Sequence, residues 1–364
     1  MVKTKVAIIF GTRPEVIKLA PVIIEMRKSK HLEPYLIATG QHSELLKLAL
    51  KTFRIQPDLN LEVMIKNQTP QQVISTVMVK LGQILIKNKI RAALVQGDTA
   101  TALAAAFCSF LNKIPVGHIE AGLRTHDLTQ PWPEEAFRQT IDRISTWHFA
   151  PTRISQKNLL RESIPKDKIF VTGNTVVDAV KMIKPRISKI KKFSQKPFVL
   201  ITIIRRENQG QPLKEIAESI KILASKYPQV DFIYPLHPNP NVKNNMTKYL
   251  KNIPNVYLTK PFDYLNFLGL LKKSMFIISD SGGIQEEVSV FHKRVILIRN
   301  KTDRPESVKT KSCIIVGHQL RKVIKAVDNL MSSSEKLTGK SPFGDGKAAK
   351  RIYKILEKEI KPLS

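Results

Sequence analysis

Cysteine is almost missing from this chain: Cys108 and Cys313 are the only two among 364 residues, far apart and each inside an apolar stretch. That excludes a disulfide framework and a cysteine-ligated metal site, and leaves two buried, reduced thiols as the expectation. Aromatic residues make up only 7% of the chain, too few for the interleaved stacking surface of a single-strand binder. No apolar run approaches the roughly 20 residues of a membrane-spanning helix. Acidic residues are scarce as well, 30 against 60 Lys and Arg, for a formal charge of +30. The excess is largely lysine scattered over helix faces, so neither a nucleic-acid partner nor a membrane partner is expected. Its densest run, between Lys181 and Lys196, reads as a solvated helix and linker. The first residues run almost directly into an apolar stretch, with no room for a secretory signal, and a cytoplasmic location is expected.

What is present is a regular alternation. Short apolar runs at 6–10, 35–38, 92–95, 115–119, 147–149 and 169–171 are separated by helix-length amphipathic stretches. The series restarts after the basic linker with runs at 198–204, 231–234, 256–258, 275–279, 295–298 and 313–316. The runs are continuous rather than alternating, which fits parallel strands covered on both faces. The chain is too long for one typical core. The expected fold is α/β, with two doubly wound, Rossmann-like domains, 1–175 and 176–345, facing a cleft at the carboxyl ends of both sheets.

The polar motifs fall at those strand ends. Gly117-His118-Ile119-Glu120, followed by Pro131-Trp132-Pro133-Glu134-Glu135, and the upstream turn Gln96-Gly97-Asp98-Thr99 each put a carboxylate where a strand stops or a helix begins. Such acids could move protons; they could equally cap helices. Gly11-Thr12-Arg13-Pro14-Glu15, with Lys18 about a turn further on, reads as an anion site at a helix start or as a plain turn with exposed bases. Ser279-Asp280-Ser281-Gly282-Gly283 lets a phosphate approach backbone N–H groups, and Glu287 could accept from ribose hydroxyls. Arg205-Arg206-Glu207-Asn208, His237-Pro238-Asn239 and Asp303-Arg304-Pro305 each follow a strand and together suit a diphosphate, for which the guanidinium fork is shaped.

With these motifs in place, the chain resembles the non-hydrolysing UDP-N-acetylglucosamine 2-epimerases, whose two-domain fold, of GT-B type, is shared with a large class of glycosyltransferases. The resemblance runs nearly end to end, through Gly40-Gln41-His42, Phe149-Ala150-Pro151-Thr152, Thr172-Gly173-Asn174-Thr175 and Gly344-Asp345-Gly346 besides the motifs above. It implies reversible epimerisation at C2 of UDP-N-acetylglucosamine to UDP-N-acetylmannosamine, for surface polysaccharide or glycan synthesis. The route is C2 proton abstraction, loss of UDP to a glycal, and re-addition, with no cofactor and no metal. The family's catalytic acids fall on Asp98, Glu120 and Glu134, and its basic residues near the pyrophosphate on Arg13 and Lys18. Uridine and diphosphate contacts fall on Ser281, Gly282, Gly283, Glu287 and Arg304. His42, Arg205, Arg206, Glu207 and His237 complete the implied substrate contacts. The resemblance further implies a homodimer and a final helix, about 346–364, that returns to the first domain.

The chain also departs from the family. Ile204 stands where the family has a histidine important for catalysis, and an apolar side chain there can neither carry a proton nor bond phosphate. Phe137 replaces a common asparagine, and His292 and Arg294 replace the glycine and proline flanking Lys293. A degenerate homologue that binds UDP-sugar without turnover, and a glycosyltransferase with an acceptor requirement, are the two alternatives.

Overall fold

The structure, a computed structural model, describes residues 2–40, 44–63, 65, 68–187, 195–205, 208, 210–236 and 240–360. It divides into two compact units, Met1–Met182 with Phe343–Ser364, and Ile183–Pro342.

The first unit starts with β1 (Thr4–Phe10), α1 (Arg13–Met26), β2 (Leu32–Ala38), α2 (Glu44–Phe53) and β3 (Leu59–Asn60). It continues through α3 (Pro70–Lys87), β4 (Ala92–Gln96), α4 (Ala100–Leu111), β5 (Val116–Ile119) and α5 (Glu134–Ile144). β6 (Trp147–Ala150), α6 (Arg153–Arg161), β7 (Ile169–Val171) and α7 (Thr175–Ile187) follow. All seven strands are parallel, in the order β3-β2-β1-β4-β5-β6-β7. β1 sits at the reversal of strand order, where Ile8 pairs Leu36 on one side and Leu94 on the other. Burial on both faces explains why these strands carry no alternation: Ala7 and Ile9 face Val77, Leu81 and Ala105 in one core.

The second unit runs β8 (Phe198–Thr202), α8 (Gln211–Lys226), β9 (Asp231–Pro235), α9 (Pro240–Leu250), β10 (Val256–Thr259) and α10 (Tyr264–Lys273). It ends with β11 (Ile277–Ser279), α11 (Ile284–Val290), β12 (Val295–Leu297), α12 (Pro305–Lys309), β13 (Cys313–Ile315) and α13 (Leu320–Ser332). Its parallel sheet has the order β10-β9-β8-β11-β12-β13. Val199, Ile201, Phe232 and Ile278 build its core with Ile216, Ile220 and Val323 from the helices.

The division falls within α7, later than the break after residue 175 read from the sequence. The reason is local. Val176 and Val177 are buried, and Asp178 accepts from Ala348 N at 3.2 Å and Ala349 N at 2.9 Å, so the start of α7 is tied to α14 (Ala348–Glu359). Phe343 O accepts from Asn174 N at 2.7 Å, and α14 packs on α1. Burial pushes the Asp178 carboxyl up to about 6.

Several strand bounds differ from the runs read in the sequence: β2 begins three residues before the run at 35–38, β11 begins two residues after the start of the run at 275–279, and β3 has no counterpart among the runs. β3 is only two residues long, too short for any periodic signal. The apolar run 198–204 overshoots β8: Ile204 N is taken by Asp280, with Oδ1 at 3.0 Å and Oδ2 at 3.1 Å, which lies outside the sheet ladder. No helix among the described residues is long and apolar enough to cross a membrane.

Candidate functional site

In the first unit the site is built on the carboxyl ends of β1, β4 and β5. Gly11 follows β1 and is pressed against the sheet: a Cβ there would lie 2.5 Å from Thr101 Oγ1 and 2.6 Å from Thr39 Oγ1. Glu15, fully buried in the first turn of α1, accepts from Gly11 N at 3.1 Å and Thr12 N at 2.7 Å, and from Thr99 Oγ1 at 2.9 Å. One carboxylate thus fastens the glycine turn to the Asp98 turn. Burial pushes the Glu15 carboxyl above its ordinary value, against the pull of those donors. Arg13 opens α1 half-buried and pairs with no described residue.

Lys18 does not stand beside the helix start as a loose cation. It is buried, and its ammonium donates to Glu120 Oε1. The same carboxylate accepts from Asn174 Nδ2 at 2.8 Å on Oε1 and from Gln96 Nε2 at 2.5 Å on Oε2. Glu120 follows β5 with φ of +73°, a left-handed conformation that costs a non-glycine residue energy and is found where surrounding structure enforces it. These donors enforce it here, holding the carboxylate from three directions.

Asp98 follows β4 but does not cap α4; Thr99 does, accepting from Ala102 N at 3.0 Å. Asp98 is instead held by Arg138, whose Nη2 lies 2.6 Å from Oδ2. Glu134 is the first residue of α5, and its partner in sequence, Glu135, is turned inward. Glu135 accepts from Thr125 N at 3.1 Å, His126 N at 3.2 Å and Gln139 Nε2 at 3.0 Å, which fixes the loop after β5. Beneath both turns, Asp142 accepts from Gly122 N at 3.1 Å and Arg124 Nη2 at 2.7 Å and meets His118 Nδ1 at 2.6 Å. Burial works to raise the Asp142 carboxyl, but His118 and Arg124 outweigh it and hold it well below the usual range.

In the second unit, Asp280 organises the loops after β8 and β11. Besides the Ile204 amide, it accepts from Arg205 N at 2.9 Å and Asn208 Nδ2 at 2.8 Å. Burial raises its carboxyl above the ordinary value against those bonds. Ser281 N donates to Ser279 Oγ at 3.0 Å. At Gly282 the backbone meets two cations, since a Cβ would lie 2.9 Å from Arg304 Nη1 and 3.8 Å from Arg205 Nη2. Gly283 is open, with nothing within 4 Å of its would-be Cβ. Arg304 is braced by Glu286, 2.8 Å from Nε, and by Asp303, 2.7 Å from Nη1. Glu287 accepts from Tyr264 O–H at 2.9 Å.

Of the residues expected from sequence, Arg13, Lys18, Asp98, Glu120 and Glu134 lie along adjacent strand ends of the first sheet, and Arg205, Ser281, Gly282, Gly283, Glu287 and Arg304 along those of the second. His42, Arg206, Glu207 and His237 lie outside the described residues. The sequence reading missed Arg138, Gln96 and Asn174 as partners of the carboxylates. Arg138 carried a usable signal, one turn beyond Glu134 on the same helix. Among the described residues no group of three or more His, Cys, Asp or Glu could hold a metal ion. Cys108 and Cys313 are free, buried thiols, the latter pushed up to about 12 by burial.

Two parallel sheets that each reverse strand order at a loop bearing glycine and charge define a doubly wound α/β protein of the GT-B fold class. A family profile described as UDP-N-acetylglucosamine 2-epimerase matches residues 24–357. The chain is 44% identical to the UDP-N-acetylglucosamine 2-epimerase of Neisseria meningitidis serogroup A, over 97% of this chain and 99% of that one. It is similar to the crystal structure of the Neisseria meningitidis UDP-GlcNAc 2-epimerase bound to UDP-GlcNAc, with TM-score 0.93 at 43% identity over 98% of this chain and 100% of that one. The Methanocaldococcus jannaschii UDP-GlcNAc 2-epimerase in complex with UDP-GlcNAc and UDP aligns with TM-score 0.90 at 36% identity, over 98% of this chain and 100% of that one. The chain belongs to the UDP-N-acetylglucosamine 2-epimerase family.

Proposed function

We propose that this protein interconverts UDP-N-acetylglucosamine and UDP-N-acetylmannosamine. The C2–H bond breaks with its proton passing to Glu120, and the C1–O bond breaks with its electron pair leaving on UDP, which gives a glycal. A second carboxyl, Asp98 or Glu134, returns a proton to the opposite face of C2 while the UDP oxygen re-bonds C1. No cofactor is consumed. The C2 proton is weakly acidic, so the base must be rigidly placed and the departing diphosphate must meet positive charge.

The observation that carries this reading is the triple hold on Glu120 by Lys18, Gln96 and Asn174 at the sheet's carboxyl end. Arg13, His42, Arg205, Arg206, His237 and Arg304 supply charge or hydrogen bonds to the UDP-sugar. Ser281, Gly282, Gly283, Glu207 and Glu287 complete its contacts. The reaction takes place in the cytoplasm.

We also assign the protein as a homodimer, joined through the exposed apolar side chains Val79 and Ile86 of α3 and Phe110 and Leu111 of α4. Phe110→Asp should leave a monomer in sedimentation; an unchanged species would exclude this face.

The function is tested by proton NMR of the protein with UDP-N-acetylglucosamine in deuterated water. The manno epimer and deuterium at C2 should both appear, and both should vanish in Glu120→Gln while UDP still binds. Binding by the parent without either signal would replace the epimerase reading with that of a non-turnover homologue.

A further inference from the structure

His118, on β5, is fully buried and has no part in the chemistry above. Its Nδ1 donates to Asp142 Oδ1 at 2.6 Å and its Nε2 donates to Gly97 O at 2.8 Å. A carboxylate and a carbonyl can only accept, so making both bonds takes a proton on each ring nitrogen. The Asp142 carboxylate also accepts from Gly122 N and from Arg124, and Arg124 bonds Glu162 at 2.7 Å. The backbone carbonyl of Asp142 accepts from His148 Nε2 at 2.7 Å.

One charged pair therefore reaches three stretches of chain. Gly97 O belongs to the turn that presents Asp98. Gly122 N belongs to the turn that presents Glu120. Asp142 itself lies about two turns along α5 from Glu134. A buried ion pair is a weak source of net stability, since well-packed apolar side chains often serve as well or better. What such a pair does supply is direction, because each of its hydrogen bonds has a fixed angle and length.

We propose that His118 and Asp142 are positioning residues: the ring pins the Gly97 carbonyl and with it Asp98, the carboxylate pins Gly122 and with it the Glu120 turn, and α5 holds Glu134 in register with both. This rests on the acid–base roles proposed above. Proton transfer to opposite faces of one carbon needs placement to a fraction of an ångström, and an error of about 1 Å costs on the order of 100-fold in rate.

The test uses two substitutions in the full chain. His118→Asn keeps a donor where Nδ1 stands and loses the bond to Gly97 O; His118→Gln keeps a donor near Nε2 and loses the bond to Asp142. The expected result is a kcat lowered roughly 100-fold in His118→Asn and clearly less in His118→Gln, with KM for UDP-N-acetylglucosamine within about twofold of the parent in both. Equal losses that track the folded fraction in thermal unfolding would overturn the proposal. Two readouts do not depend on turnover. Nitrogen-15 NMR of histidine-labelled parent should show two N–H protons on the ring whose signals vanish in His118→Asn, and the crystal structure of His118→Asn should show Asp98 displaced. A single ring proton, or an unmoved Asp98, overturns the positioning role whether or not the parent epimerises UDP-N-acetylglucosamine.

Discussion

Arg138 grips Asp98 from the helix that also carries Glu134, with Nη2 and Oδ2 2.6 Å apart. The guanidinium is buried while the carboxylate keeps 29% of its side-chain surface in contact with solvent. The carboxylate is thereby fixed in direction yet still open to solvent.

Removing that grip leaves Asp98 free to rotate and Arg138's cavity unfilled. Arg138→Leu should lower turnover by about two orders of magnitude and stability by about 2 kcal/mol, less than a fully buried pair would lose because Asp98 stays partly hydrated. Steady-state kinetics and urea unfolding check both. Full activity in the variant would remove Arg138 from the site.

At position 204 the side chain points to no core. Ile204 is 36% exposed, and only its backbone N–H is engaged, by Asp280. Ile204→His should raise kcat by about 100-fold, the low end of what a placed acid or base contributes. An unchanged rate of UDP-N-acetylmannosamine formation would mean that another group already does the work.

Gly282 has no room for a methyl group beside Arg304, whose Nη1 would be 2.9 Å from it. The guanidinium is the far end of a flexible side chain, so Gly282→Ala should fold and instead push that cation off its place. UDP affinity measured by calorimetry should fall about tenfold, or roughly 1.4 kcal/mol. Parent-like affinity would exclude Arg304 as a UDP contact.

Asp178 titrates near pH 6 in the folded chain, against an ordinary value of 3.8. The protonated form therefore favours the fold. Its contribution is complete below about 3.8 and is lost as pH rises through about 6. Asp178→Asn cannot titrate, so the thermal midpoint of the parent should gain on that of the variant as pH falls from about 7.5 to about 5. A difference that does not vary with pH would show that burial leaves this carboxyl unshifted.

The strands of both sheets were legible because each is an apolar run covered on both faces, and the site loops because glycine and charge interrupt those runs at their carboxyl ends. β3 was not legible, since Leu59-Asn60 carries no period. The end of β8 misled because Ile203 and Ile204 continue the apolar pattern after the ladder has stopped, and what turns the backbone there is Asp280, far along the chain. The carboxylates Asp98, Glu120 and Glu134 stood out by position, but their partners did not. Lys18 and Asn174 meet Glu120 across long stretches of sequence, and no local spacing encodes such a pairing.

The tie between Asp178 and the first turn of α14 bears on how the chain is made. A ribosome delivers the seven strands of the first sheet early, but the helix that covers α1 arrives only after the whole second unit has been synthesised. Until then the apolar side of α1 and the start of α7 lack their cover. Completion of the first unit therefore waits until the second has been made, and the carboxylates at its strand ends sit in a finished scaffold only after residues 348–359 have been added.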